Sequence, residues 1–586
     1  MLRRRRPEGE AGEAPEGRPA STPTSRVAAT ANAAALSPAA AFALLAAARL
    51  ISAALNIIHD CDETYNYLEP LHFVLYGSGM QTWEYGAQFA LRAYIYLLLH
   101  AVPAAPALLL GTGRGKLVAF FLIKAALGLA SAATEAWLYR AIAQRYRPAL
   151  AHCFLLFLCV ASGMFASSTS MLPSSFTMYA LTAAAAGMLE GSPYRVIAAA
   201  AIGVVWGWCV AGFAFLPYAL WVLAAAPLFR AVGVLLLCLL GTLGPLALVD
   251  RHFYGCWTAS LWNFIQYNVV GGGDSALYGV EGPAYYLRNG LNNFQLLLPL
   301  ALALPLLAAA AGGDALRGGK GGGAKARSGG GGVLRLLLCV SPLYVWLGAI
   351  TALPHKEERF LYVAYPLVCL AAAASCTALW SLGRRLLGAL LPQRASAPLA
   401  WAGAALLLAS TCLLALSRSA ALVVNYGAPM RIYTRLPEVA GHGPLVPVCT
   451  GAEWYRFPSA FHLPGERYRL QFINSGFTGL LPRQFDASQG GTRAAPRQFN
   501  DRNREEPDNY WPSAANCSYV VTLRDRASGS LIDELGDLAA WEEVAALPFL
   551  DAAHSPALTR AFYIPGLSPA KNRQMDYVLL RRKGAQ

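Results

Sequence analysis

SPAAAFALLAAARLISAALNIIHDCDETYNYLEP, residues 37–70, joins two unlike halves. The first, 37–57, is a largely apolar run of the length a helix needs to cross a bilayer, about 20 residues. The second, HDCDETYNYLEP, gathers His59, Asp60, Asp62, Glu63 and Glu69 immediately beyond it. A dense polar cluster at the mouth of a span points to a membrane protein whose chemistry lies at the membrane surface.

The whole chain has that character. Its 586 residues are 56% hydrophobic and 14% charged, with a mean hydropathy of +0.40, and apolar runs recur along it. The expected fold is an all-α polytopic membrane protein of about eleven transmembrane helices. Spans are placed at 37–57, 117–139, 149–167, 174–190, 196–212, 213–229, 231–250, 295–312, 333–353, 360–382 and 397–417. The net charge of +14 does not indicate nucleic acid, because the basic residues fall in short segments between runs, where they set topology. Residues 1–36, opening on four arginines and rich in Pro, Gly and Glu, read as a disordered cytosolic tail. The first span is expected to remain uncleaved.

With the N-terminus in the cytosol, Arg140, Arg145, Arg147, Arg195, Arg230, Arg384, Arg385 and Arg394 all fall on the cytosolic side, as positive charge should. The Gly-rich segment 312–332 joins them as a flexible cytosolic linker. The multi-span domain is then 37–418, with two large loops, 58–116 and 251–294, on the opposite side. Residues 419–586 follow there as a smaller α/β domain, with strand-like runs VPVCTGA, YRLQFI, CSYVVTL and YVLLRR between turns. The sequon Asn516-Cys517-Ser518 offers an N-glycosylation site on that face, and Cys449 and Cys517 are available for a disulfide. Other cysteines lie mostly within apolar runs, and no zinc spacing appears. Lys124 and Glu135 stand inside a span, near enough to its ends to snorkel.

Three clusters could carry chemistry. The first loop adds Trp83, Glu84, Tyr85 and Arg92 to the acids of 59–69. Rings that stack on sugar C–H faces, beside carboxylates that accept hydroxyl protons, suit carbohydrate; interfacial anchoring explains the rings but not the anions. The short loop LPHKEERF, 353–360, sets His355, Lys356 and Arg359 at headgroup depth, where they could hold a phosphate or form a self-neutralising cluster with Glu357 and Glu358. The segment 251–294 offers Asp274, Tyr278, Glu281, Tyr285, Tyr286, Asn292 and Asn293 as a second carbohydrate wall or an ordinary interfacial loop. GTGRGK lacks the Walker spacing, and no HExxH or GxSxG occurs.

CDETYNYLEP, QTWEY with a following Arg-x-Tyr, LYGVEGPAYYLRNGLNNF, PHKEERF and EWYRFPSAFHLP, in that order, resemble the hallmarks of glycosyltransferase family 22 of the GT-C superfamily. Within it they are most similar to the α-1,2-mannosyltransferases of lipid-linked oligosaccharide assembly. The resemblance implies a GT-C membrane fold and inverting transfer of mannose from dolichyl phosphate mannose to a dolichol-linked high-mannose oligosaccharide. It places that reaction at the lumenal face of the endoplasmic reticulum membrane, adding the α-1,2-linked seventh and ninth mannoses of the N-glycan precursor. No nucleotide sugar and no cofactor are implied; a divalent metal stays open. By the same resemblance Asp62 is the base, with Glu63 supporting it and Asp60 its rival. His355, Lys356, Arg359 and Arg92 are donor-phosphate candidates, and Glu69, Trp83, Glu84 and Tyr278 sugar-binding candidates. Leu68, Ala93 and Gly476 depart from the family pattern, where relatives carry Trp, Ser and Glu. A related enzyme acting on a GPI anchor precursor, or a lipid-phosphate flippase, is the alternative. A flippase should carry midplane charges and duplicated halves, whereas here the acids crowd one face.

Overall fold

The computed structural model describes residues 35–111, 113–271, 275–312, 331–438 and 443–584. Nearly all of the basic tail, most of the Gly-rich segment and Asp274 lie outside the described residues.

Six helices are long and apolar enough to cross a membrane: Pro38–Leu55, Gly115–Ala143, Leu228–Tyr254, Gly332–Ala352, Glu358–Leu390 and Gln393–Tyr426. A seventh crossing arises if Tyr285–Phe294 and Leu297–Ala311, bent by 105° at their junction, act together. Four shorter apolar helices, Tyr94–Leu110, Pro148–Val160, Pro193–Gly207 and Cys209–Ala225, complete the apolar set among the described residues. Length and composition thus support six or seven spans where the sequence suggested about eleven. The short helices account for the difference, since several expected spans are broken pieces. Pro148 and Pro193 start two of them, as a residue without an N–H can at a first turn. Segment 58–116, expected as a loop, is largely helical, and its Tyr94 stacks on Phe253 at 4.1 Å.

The first helix begins where Ser37 caps it, accepting from the Ala40 amide with Pro38 following. Lys124 and Glu135 do not snorkel: they are 2% and 0% exposed. Glu135 receives a forked contact from Arg49, with Nη2 at 2.8 Å and Nε at 3.2 and 3.3 Å, while Ser131 donates to it at 2.6 Å. Arg49 also donates to the Leu158 carbonyl at 2.8 Å, so one ion pair ties three helices together with its polar atoms satisfied. The sequence reading overlooked Arg49 because a single cation in an alanine-rich run resembles a snorkelling residue.

Beyond the last long helix, five strands form a mixed sheet in the order β3-β2-β5-β7-β6: β2 Val446–Thr450, β3 Tyr468–Phe472, β5 Tyr519–Arg524, β6 Trp541–Leu550 and β7 Gln574–Arg582. Side-chain alternation sends Val448, Val521, Tyr577 and Leu579 into one apolar cluster and Cys449, Val520, Val578 and Leu580 into another. Both faces are therefore buried. Cys449 and Cys517 are joined by a disulfide in the second cluster. Four strands match the expected runs; β6, WEEVAALPFL, does not read as a strand, because its alanines and glutamates favour helix and Pro548 cannot donate to a ladder. It is accommodated at the sheet edge with a bulge between Glu543 and Ala545. A separate two-stranded pair, β1 Met80–Gln81 with β4 Arg483–Gln484, links the first polar segment to the sheet-bearing region.

Candidate functional site

The acid-rich segment forms a bent helical rod over residues 61–76. Asp60 starts it as N-cap, its Oδ1 accepting from the Asp62 amide at 2.9 Å. A π-turn over Thr64–Leu68 follows, closed by the Glu69 amide on the Thr64 carbonyl, then the α-helix Glu69–Tyr76, ended by Gly77 at φ +71°. Pro70 explains the irregularity: it has no N–H to offer the Asn66 carbonyl, and its ring would clash there in a regular helix. The Tyr85 hydroxyl supplies the missing bond at 2.8 Å. π-turns of this kind often mark functional sites.

The rod places Asp62 and Asp60 against Arg359 of the PHKEERF loop. Arg359 Nη1 lies 2.6 Å from Asp62 Oδ2 and 3.2 Å from Asp60 Oδ1, and Nη2 pairs with Glu357. Glu357 also meets His355 Nε2 at 2.9 Å. One guanidinium thus serves three carboxylates, and the group carries surplus negative charge. The two aspartates respond oppositely. Burial, only partly opposed by Arg359, pushes Asp60 up to about 7, with Glu357 and Asp62 adding repulsion. Burial acts on Asp62 too, but Arg359, Arg92 and a hydrogen bond from Asn66 outweigh it and hold its carboxyl below the usual range. Asp62, with 30% of its side chain exposed, is also the more open of the pair.

Around Asp62 stand most of the expected sugar contacts. The Tyr278 hydroxyl accepts from the Trp83 indole, with Glu84 and Asp62 close enough to raise its pKa further after burial has done so. Trp83 packs on Tyr267 at 5.3 Å, a ring the sequence reading did not select. Arg92 pairs with Glu84 at 2.6 Å and lies over Tyr67. Burial raises the Glu84 carboxyl, with Arg92 opposing.

Other candidates are turned elsewhere. Glu63 is 2% exposed and accepts from the Met171 amide at 2.8 Å, pointing into the helix bundle. Glu69 accepts from the amides of Met80 and Ala460 and from the Ser459 hydroxyl, which makes it a strut to the EWYRFPSAFHLP segment. Lys356 is buried and donates to the carbonyls of Glu281, at 2.9 Å, and Leu353. His355 Nδ1 is 2.9 Å from the Gly279 carbonyl, and its pKa is raised by the bond to Glu357. These two cations therefore fasten LYGVEG to PHKEERF.

The sheet-bearing region joins the site through residues that carried no catalytic signal. Tyr65 packs among Trp454, Phe457 and Phe472 and donates to the Trp454 carbonyl at 2.6 Å. Thr64 donates to the Phe457 carbonyl at 3.0 Å, and Lys116 to that of Gly465 at 2.7 Å. Asp60, Cys61 and Asp62 bring potential metal ligands within 4.8 Å of one another. Arg359 already pairs with both carboxylates, however, and burial raises the Cys61 thiol well above its ordinary value, so these residues fit a guanidinium better than a metal ion.

The Alg9-like mannosyltransferase family model matches residues 40–464, a stretch that takes in the acid-bearing rod, the PHKEERF loop and the EWYRFPSAFHLP segment. The chain is 38% identical to the alpha-1,2-mannosyltransferase ALG9 of Arabidopsis thaliana, over 91% of its own length and 90% of the relative's. It is 35% identical to ALG9 of Homo sapiens over 92% and 88%, and 30% identical to that of Saccharomyces cerevisiae over 90% and 92%. Among solved structures, ArnT from Cupriavidus metallidurans bound to undecaprenyl phosphate aligns with a TM-score of 0.49 at 12% identity, covering 86% of this chain and 94% of that one. On the family match and the extent of these similarities, the chain belongs to the Alg9-like mannosyltransferase family.

Proposed function

We propose that this mannosyltransferase moves mannose from dolichyl phosphate mannose to a dolichol-linked high-mannose oligosaccharide in α-1,2 linkage, at the seventh and ninth mannoses, on the lumenal side of the endoplasmic reticulum membrane. The observation that carries the mechanism is the pairing of Asp62 with Arg359, which joins an open, ionised carboxylate to a cation at the start of the long apolar helix Glu358–Leu390.

The acceptor hydroxyl attacks the anomeric carbon, and its proton passes to Asp62. The bond from that carbon to the phosphate oxygen breaks on the opposite face, so configuration inverts, and the electron pair leaves on dolichyl phosphate. Arg359 meets the charge that develops there. Asp62 and Arg359 occupy one another, so an arriving donor phosphate competes for the guanidinium and releases Asp62 as the donor is seated. Trp83 and Tyr278 offer ring faces for sugar beside the base, with Arg92 and Glu84 fixed behind them. An apolar cavity of about 110 Å³ at the bent helix pair, lined by Tyr286, Phe294, Leu298, Leu347, Leu361 and Tyr365, lies two residues along from Arg359 and suits the first isoprene units of a polyprenyl chain.

The eleven-crossing arrangement belongs to the same proposal, with the short apolar helices pairing into crossings and the sheet-bearing region in the lumen. The exposed Asn516 sequon and the disulfide beside it favour that side; a mobility shift on glycosidase treatment, lost in Asn516→Gln, checks it. The reaction is tested with purified protein, dolichyl phosphate mannose and a truncated lipid-linked acceptor, scoring product by its sensitivity to an α-1,2-specific mannosidase. Absence of transfer by folded protein sinks the proposal, and transfer only to a GPI anchor precursor redirects it.

A further inference from the structure

We propose that Lys124 is a positioning residue for this transfer, holding from below the turn at 56–60 that ends in Asp60 and leads into Asp62. The inference rests on the reading that these acids serve the reaction.

The helix Pro38–Leu55 ends at Asn56, which leaves helical geometry at φ −68° and ψ 135°. The carbonyls of a last turn have no partner within their own helix. Asn56 is 3% exposed, so water cannot serve as that partner. Lys124 does so instead, its Nζ donating to the Asn56 carbonyl at 2.8 Å. A cation at a helix C-terminus also opposes the negative end of the helix dipole. The Asn56 side chain extends the support: Nδ2 donates to the Ala166 carbonyl at 2.9 Å, and Oδ1 lies 2.8 Å from His59 Nε2. One residue beyond His59, Asp60 caps the rod. A continuous set of short polar contacts therefore runs from a buried ammonium to the acid-bearing turn.

Lys124 is not needed as an ordinary ion-pair partner, since no carboxylate lies within ion-pair distance of it among the described residues. It stands over the Phe120 ring at 5.4 Å; His59 and His462 lie close enough to feel its charge, and Glu63, with one oxygen unpartnered, supplies a more distant negative charge. The cost of keeping an ammonium there is met by its bond to the carbonyl that begins the catalytic turn. Without it the turn loses its deepest anchor, and displacement of a reacting group by about 1 Å is enough to slow a reaction roughly 100-fold.

Lys124→Met and Lys124→Gln are compared with the wild type in the reconstituted assay, together with thermal unfolding of the purified proteins. Lys124→Met is expected to lower kcat on the order of 100-fold at unchanged donor KM. Lys124→Gln, whose amide still donates a hydrogen bond, should lose less. Wild-type kcat in both variants, or a rise in donor KM matching the fall in kcat, overturns the proposal. If Lys124→Met does not fold, Lys124→Gln decides: reduced kcat with normal donor KM and Tm supports it, and wild-type kcat refutes it. A wild-type enzyme that transfers no mannose condemns the proposed reaction, whereas a wild type that transfers and variants that match it condemn only the positioning role.

Discussion

Asp60 gives one oxygen to the amide of Asp62 and so starts the rod, whereas Asp62 caps nothing and turns its carboxylate toward Arg359, within the influence of Arg92, and toward the open side. Asp62→Asn is expected to lower kcat by roughly 10² to 10⁴-fold, the usual contribution of a general base, with little change in donor binding. The acid limb of the pH profile provides an independent check. A base must be deprotonated, and Asp62 is held below the ordinary carboxylate range in the free enzyme, so kcat/KM should stay level from neutral pH down to about pH 5. Asp60, at about 7, would instead produce a limb centred near neutrality, and that result would transfer the role to it. Sequence could not separate three acids within four positions, because a cap, a buried acceptor and an open carboxylate have the same letters. It also offered Lys356 as a phosphate ligand, from its charge and from the family resemblance, while the carbonyls of Glu281 and Leu353 that engage it become neighbours only in the fold.

The local exceptions are the informative elements. Tyr85 serves the carbonyl that Pro70 leaves unpaired, so Tyr85→Phe should destabilise the protein by about 1–3 kcal/mol and reduce kcat through the rod. Thermal unfolding read beside activity tests both. Within the bundle, Glu135→Gln strands Arg49 without its counter-charge and is expected to lose about 3–5 kcal/mol, measured by unfolding in lipid nanodiscs. The long apolar helices were legible from hydropathy, and four of the sheet strands from their β-branched and aromatic runs. The bent pair around Gln295 was not, because its shape comes from tertiary contacts such as Asn293 with Glu358 at 2.7 Å and with Tyr365 at 3.1 Å. The Arg49–Glu135 contact was equally hidden, since its partners are 86 positions apart.

At the scale of the molecule, the sheet-bearing region is a structural half of the site. Cys449→Ser opens the disulfide that closes 68 residues of chain, and is expected to cost about 2–4 kcal/mol, read as a lower Tm under oxidising conditions with wild-type behaviour under strong reductant. The family motifs announced this alliance without its mechanism: EWYRFPSAFHLP resembled a family hallmark, and its contribution is a seat for Thr64, Tyr65 and Glu69.

Strand β1, at Met80 and Gln81, closes only on Arg483 and Gln484. At a synthesis rate of about 5–20 residues per second, the ribosome needs roughly 20–80 s to deliver that partner after β1 has emerged. The nascent acid-bearing segment must wait through that interval without its seat on the sheet-bearing region, within reach of chaperones and quality control. A chain cut short by a premature stop after Arg359 but before Arg483 therefore forfeits the strand that closes on β1, even though Asp62, Tyr278 and Arg359 have already been made.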